Sequence, residues 1–356
     1  MTSKLETVKN SKLTQPETKF KKSGINLAAS WYIAMRSEAL GKEPKAVELF
    51  GQPLVAWRDQ NGHPVIMQRY CSHMGASLAL GKVVNSCIQC AFHHWHFDSS
   101  GQCVATVPKV DRIPLRARQA THVTTERYGY IWIWYGSETP LFPLPDFPAA
   151  ESERHNYMPY RFAHYTNTSV RQVLDNTYDQ YHLLTIHELQ IPGSIPLTLL
   201  NNYPAQQSET PIPKEAWFGA LIEFPFSAYI GKLDFVAKAL GLKGKTVTLF
   251  LDGWPSGQRV TGFLDGKEIY KAILCTTPIT ESKTVQEILM MIKKTDNFLL
   301  NIFNYLFFGV FSKFGVEQDM PVWDTINTEM GGAYIESDLG VLKYREFYQR
   351  WVKKVE

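Results

Sequence analysis

The sequence predicts an α+β chain in two parts, a small all-β region followed by a larger region that mixes helices with antiparallel hairpins. Three observations carry this. From about Leu27 to Tyr135, short apolar stretches such as Leu54–Trp57, Val65–Met67 and Gly129–Trp134 alternate with turn signals at Asp59–Gly62 and Asp98–Gly101. Pro140–Pro148 is proline-rich and reads as a linker. Beyond it, stretches with few breakers (Thr168–His187, Asn297–Phe311, Val341–Val355) read as helices. Thr246–Leu251, Gln258–Leu264 and Ile269–Leu274 read as strands, with Leu264-Asp-Gly-Lys267 as a hairpin turn. A length of 356 residues fits two domains. The expected division is a disordered tail over 1–23, a first domain over 24–145 and a second over 146–356.

Composition narrows the function. Hydrophobic residues make up 44% and charged residues 20%, enough to bury real cores. A net charge of +3 is too mild to make nucleic acid the main partner. The basic, apolar stretch Lys232–Lys245 reads as ordinary amphipathic surface. The tail is polar and Lys-rich with no apolar stretch, so it reads as a disordered tail rather than a signal peptide, and Glu6 and Glu17 argue against a transit peptide. The longest apolar run, Phe298–Phe311, is interrupted by Asn301 and Asn304 and falls short of the ~20 residues of a membrane span. It reads as a buried helix. The expected location is the cytoplasm.

Five cysteines (Cys71, Cys87, Cys90, Cys103, Cys275) are too few, and odd in number, for a disulfide framework. Their clustering points to a metal site in a reducing compartment. Cys71-x-His73 and Cys90-x-x-His93 each supply one thiolate and one imidazole, with 16 residues between the pairs. Structural zinc is one reading of such a set. A Rieske [2Fe–2S] centre, with two Cys on one iron and two His on the other, is the second. Zinc fingers pair like with like, whereas here each loop carries one of each, which selects the Rieske reading. Gly75 and Trp95 suit two tight loops over a cluster. Cys87 and Cys103 read as small reduced hydrophobes. His94 follows a ligand directly and reads as an outer contact, and His96 as a strand residue.

A second constellation lies in Asp175–His187. On a helix, Asp179 and His182 share a face, with His187 near the helix end. Two His and one carboxylate form the facial triad of non-haem iron, with open positions for O2 and substrate. Zinc of a hydrolase is the rival, but the His-Glu-x-x-His signature is absent. The third ligand comes from Glu317, Asp319 or Asp324. Asp179 reads as a bridge whose carboxylate accepts the second N–H of a ligand histidine.

Together, Cys-x-His, Cys-x-x-His and Asn176-x-x-Asp179-x-x-His182-x-x-x-x-His187 resemble the Rieske non-haem iron oxygenases over nearly the whole chain after residue 24. The resemblance implies a catalytic domain of helix-grip type, an antiparallel sheet around a long helix. It also implies a head-to-tail homotrimer, in which Asp179 contacts a Rieske histidine of the next subunit. Respiratory Rieske proteins carry a disulfide between the loops. Ala76 and Phe92 stand at those positions here, which favours the oxygenase type. Leu27–Ser37, Cys87–Trp95 with its His93-His94-Trp95, Glu126–Tyr130 and Leu342–Tyr348 are similar to the aminopyrrolnitrin oxygenase family, which oxidises an arylamine nitrogen to a nitro group. That likeness implies Asp319 as the third iron ligand, and Asn176 and Phe308 as substrate-binding residues. Leu189–Glu215 is less similar and is expected to line or cover the pocket.

The expected cofactors are a [2Fe–2S] Rieske cluster and mononuclear Fe(II). No dinucleotide fingerprint and no plant-type cluster spacing is present, so electrons come from a separate ferredoxin or flavin reductase. The expected activity is N-oxygenation of an aryl or heteroaryl amine. A rival is hydroxylation or demethylation of carbon by the same residues. A different class is a Rieske electron-transfer protein with no mononuclear iron.

Overall fold

A computed structural model describes residues 25–356 apart from 192, 194, 205–208 and 328–331. The expected tail over 1–23 therefore lies outside the described residues. Three small antiparallel sheets form the first part. Ser30–Arg36, Tyr130–Tyr135 and Thr124–Arg127 make one; Lys45–Leu49, Gln52–Arg58, Pro64–Gln68 and Thr121–His122 make the second. Lys82–Val84, Cys87–Gln89, His96–Phe97 and Cys103–Ala105 make the third. The turns between them have local causes. Asp59 Oδ1 accepts from the N–H groups of Asn61 and His63, both at 2.9 Å. Asp98 Oδ1 does the same for Ser100 at 2.9 Å and Gln102 at 3.0 Å. Such Asx turns let a short side chain replace the ladder where the strand reverses.

The second part is built on a seven-stranded antiparallel sheet. Its spatial order is Tyr157–Thr166, Thr284–Lys293, Lys267–Pro278, Gly257–Leu264, Thr246–Trp254, Phe218–Pro225 and Leu197–Leu200. The expected Asp265–Gly266 hairpin is present: both residues have positive φ, 48° and 78°, and Leu264 pairs with Lys267.

The proline-rich stretch departs from expectation. Phe142 and Phe147 are buried, Trp31 Nε1 donates to Phe142 O at 2.9 Å, and Arg259 donates to Asp146 O at 2.7 Å. Its prolines restrict the backbone while residues between them fill the core, so it is a packed strap and not a free spacer. The strand Ser30–Arg36 is likewise tied to the large sheet. Ser30 meets Ser256 at 2.9 Å, and Thr277 Oγ1 donates to Ile33 O at 2.9 Å. One hydrophobic core accordingly runs from Trp31, Trp132 and Trp134 through Phe142 to Phe250, Tyr344 and Trp351. A smaller core of Val55, Trp57, Met67, Ile88 and Phe97 sits under Cys71 and Cys90.

Two helical expectations need correction. Thr168–His187 is not one helix: Val170–Asp175 is helical, Asn176–Tyr178 makes a tighter turn, and a separate turn covers His182–Thr185. The apolar run forms part of a 26-residue helix, Phe298–Trp323, with a widened turn over Tyr305–Val310. It is not buried throughout. Phe298 is 74% exposed and Leu299 60%, while Asn304, Phe308 and Asp319 are buried. The helix is long and apolar enough to cross a membrane by length and composition. One face nonetheless lies on the sheet, where Gly309 sits against Ile292 and Tyr160.

Candidate metal centres

The two Rieske-type loops share one backbone design. Cys71 N–H donates to Ala76 O and Gly75 N–H returns to Cys71 O, both at 2.8 Å. Cys90 N–H donates to Trp95 O at 2.8 Å and His94 N–H returns to Cys90 O at 3.0 Å. Each loop thus buries its thiol and sends its imidazole outward. Cys71 and Cys90 are 4% and 1% exposed, while the rings of His73 and His93 lie 4.7 Å apart nearer the surface. Trp95 stacks on His73 with centroids 4.1 Å apart and 5° between planes, fixing that ring. Burial pushes the Cys71 thiol up to about 11. A Cys71 thiolate at this depth therefore needs a cation beside it, which an iron of the cluster would supply. All five cysteines are free. Cys103 donates to Ala105 O at 3.4 Å, and Cys275 lies deep in the large core. His94 is exposed, and His96 meets Gln89 of the neighbouring strand at 3.1 Å.

The second centre brings together His182, His187 and Asp319, whose ligand-type atoms all lie within 4.8 Å of one another. His187 Nε2 is 3.6 Å from Asp319 Oδ1. The two imidazoles come close because the helix before them breaks. Ser169 caps Val170–Asp175 through Gln172 N–H at 3.4 Å. Asp179 then turns to φ −97°, ψ 94°, and its carboxylate accepts from Tyr181 N–H at 3.0 Å. That capping contact ends one turn and starts the next.

Its consequence corrects one expectation. His182 Nδ1 is held by the backbone carbonyl of Asp179, not by its carboxylate. Asn176, expected at the substrate, donates its amide N–H to Asp319 Oδ2 at 3.2 Å and so orients that carboxylate. Phe308, expected in the substrate pocket, is fully enclosed among Tyr229, Tyr270 and Phe307.

The three carboxylates left open by spacing separate in space. Glu317 pairs with Lys313 at 3.6 Å on the helix surface. Asp324 accepts from Thr166 Oγ1 at 2.6 Å and Asn167 N–H at 2.7 Å. Asp319 faces the histidines, 3% exposed, and its Oδ1 has no hydrogen-bond partner. Burial raises the Asp319 carboxyl and lowers His182. An orphaned carboxylate oxygen beside two imidazoles is a donor set that fits a divalent iron.

Gln318 was not anticipated: its Oε1 lies 3.0 Å from His187 Nδ1. No spacing rule links two residues 131 positions apart. Leu189–Glu215 adds the edge strand Leu197–Leu200, and Glu209 forms a buried ion pair with Lys271. Part of that stretch lies outside the described residues.

Comparison with known proteins places these centres in context. The model of the Rieske [2Fe-2S] domain matches residues 30–120. Aminopyrrolnitrin oxygenase PrnD of Pseudomonas fluorescens is 41% identical, covering 96% of this chain and 98% of its own. The oxygenase component of a 3-ketosteroid-9-alpha-monooxygenase of Rhodococcus rhodochrous is 24% identical, covering 92% and 81%. Among solved structures, dicamba monooxygenase with non-heme iron and dicamba has the same fold, with a TM-score of 0.67 at 19% identity over 92% and 97% of the two chains. NdmB of Pseudomonas putida CBB5 reaches a TM-score of 0.71 at 13% identity over 93% and 98%.

Proposed function

Because the chain belongs to the Rieske non-haem iron oxygenases, oxidoreductases that carry a [2Fe–2S] cluster and a mononuclear iron, we propose that it oxidises the nitrogen of an aryl or heteroaryl amine towards a nitro group. The observation that carries this reading is the 41% identity, along essentially the full length of both chains, to an aminopyrrolnitrin oxygenase. The reading assigns Cys71 and Cys90 to one iron of the cluster and His73 and His93 to the other. It assigns His182, His187 and Asp319 to the mononuclear iron, with electrons entering in 24–145 and oxygenation in 146–356.

When bound, the cluster relays single electrons and the mononuclear iron activates O2. The chain's own residues do the rest. Buried Cys71 and Cys90 seat the cluster, while outward His73 and His93 present it to an acceptor. Asn176 and the Asp179 carbonyl hold a ligand carboxylate and a ligand imidazole in fixed orientation. The Asp179 carboxylate is spent locally on Tyr181 N–H through Oδ1 alone. Its other oxygen serves as the bridge to a Rieske histidine of the next subunit in a head-to-tail trimer. Aromatic rings at Tyr160, Tyr229, Tyr270 and Phe307 make the region around the long helix apolar and limit water. The partners are a small arylamine, O2 and a separate ferredoxin or flavin reductase. The proposed location is the cytoplasm.

Product analysis tests the proposal. The protein is incubated with a reductase, NADH and a panel of arylamines, and products are weighed by mass spectrometry. Hydroxylamine, nitroso or nitro products are expected. Exclusively carbon-hydroxylated or dealkylated products would transfer the assignment to carbon oxidation. A Rieske spectrum with no further iron would leave only electron transfer.

A further inference from the structure

We propose that Gln318 is a positioning residue for the mononuclear iron: its side-chain carbonyl decides which nitrogen of His187 faces the metal and gives that ligand a neutral outer partner. The inference rests on the reading of His182, His187 and Asp319 as the iron site, and it adds a residue and an electronic consequence to that reading.

The geometry runs through His187. Its Nε2 faces Asp319 Oδ1 at 3.6 Å, while its Nδ1 faces Gln318 Oε1 at 3.0 Å. A ligand nitrogen must carry a lone pair, so a neutral imidazole with Nε2 on the metal keeps its proton on Nδ1. That proton needs an acceptor, and the amide carbonyl of Gln318 is the group in reach. The helix Phe311–Trp323 carries Gln318 and Asp319 as neighbours. One helix therefore places a ligand and, one residue away, the partner that orients a second ligand.

The chemistry of the outer partners is uniform. His182 is held by the Asp179 backbone carbonyl, His187 by the Gln318 amide, and Asp319 by the Asn176 amide. None of these three outer partners is a carboxylate. A carboxylate partner would draw the Nδ1 proton and make the imidazole a stronger donor; a neutral carbonyl holds the same tautomer with less charge. Gln318 thus selects orientation without making His187 more basic.

The test measures ferrous iron affinity in the full-length protein with its Rieske cluster intact, by competition with a chromogenic chelator. Replacing an outer-shell partner costs about 10–100-fold in metal affinity, and that loss is expected for Gln318→Leu. Gln318→Glu retains an acceptor and is expected to bind iron at least as tightly as wild type. Gln318 is exposed on its helix, so the Rieske absorbance and the unfolding temperature should stay unchanged in both variants. Gln318→Leu with affinity within about twofold of wild type overturns the inference, as does Gln318→Glu weakened as much as Gln318→Leu. Failure of the wild type itself to take up iron beyond its cluster would instead overturn the underlying site reading.

Discussion

Gly75 and His94 occupy equivalent places in the two Rieske-type loops. Each lies four residues after its cysteine, each donates its N–H to that cysteine's carbonyl, and each has positive φ, 74° and 53°. Glycine adopts this conformation freely, whereas a side chain pays roughly 1–2 kcal/mol for it. His94 is therefore tolerated at a strained position, and its side chain is exposed. His94→Gly is expected to leave stability unchanged within about 1 kcal/mol, and His94→Val to lower it by about 1–2 kcal/mol with partial loss of cluster. Thermal unfolding and Rieske absorbance per protein check both. A stable, fully loaded His94→Val protein would show that the turn is not held left-handed.

On the proposed reading, Asp179 separates two functions by atom. The backbone carbonyl holds His182, and the carboxylate does not. Asp179→Asn is therefore expected to retain the mononuclear iron while slowing electron delivery to it across the subunit boundary. Metal analysis alongside single-turnover reduction of the iron by the pre-reduced cluster distinguishes the two. Loss of iron in Asp179→Asn would mean that the carboxylate itself supports the ligand.

Asp175 predicts a pH dependence. Burial pushes its carboxyl up to about 6, against the lowering effect of Arg345, whose Nε donates to Oδ2 at 2.7 Å; Oδ1 is buried with no partner. The folded pKa lies above the unfolded one, so the associated stability is full below about pH 4 and is lost as pH rises through about 6. Asp175→Asn cannot ionise and should lack this fall. The variant's unfolding free energy relative to wild type should gain about 1–3 kcal/mol between those pH values. A parallel pair of stability curves from pH 4 to 6 would contradict the assignment.

Asp252 and Arg259 form a buried ion pair that ties together the strap, the sheet and the loop after Leu200. Arg259 Nε donates to Asp252 Oδ2 at 2.7 Å, and both residues are 2% exposed. Trp217 Nε1 and Tyr203 OH donate to the same carboxylate at 2.8 and 3.1 Å. Asp252→Ala would leave a buried guanidinium with Asp146 as its one carboxylate, beside Tyr203 OH and Thr210 O at 3.3 Å, at a cost of about 3–5 kcal/mol. Urea unfolding measures this, and a loss below about 1 kcal/mol would show that water or Asp146 compensates.

Local chemistry and spacing made much of the molecule legible. Alternating apolar residues and Asx-type turns located the small sheets, since a strand's period and an aspartate's reach are set within a few residues. The pairing of one Cys with one His per loop distinguished a Rieske centre from zinc. Asp265–Gly266 announced its hairpin because both positions demand positive φ. Contacts between distant segments were not legible in the same way. The strap around Phe142 read as a linker because proline content says nothing about what its neighbours bury. The run Phe298–Phe311 read as a buried helix because its composition is apolar, yet the fold covers only one face of the longer helix it belongs to.

The sequence by itself determined the chemistry at hand: two thiols, four imidazoles and a short choice of carboxylates, in an order that belongs to Rieske oxygenases. Spacing left three carboxylates open and the family likeness implied Asp319, which the structure turns inward; the tertiary structure alone decided that the Asp179 backbone and not its side chain holds His182, and that Gln318 faces His187. The reason is physical. Donor identity is a property of a residue, whereas the approach of Asp319 and Gln318 to His187 depends on the register of one long helix against a sheet, and no local pattern encodes that register.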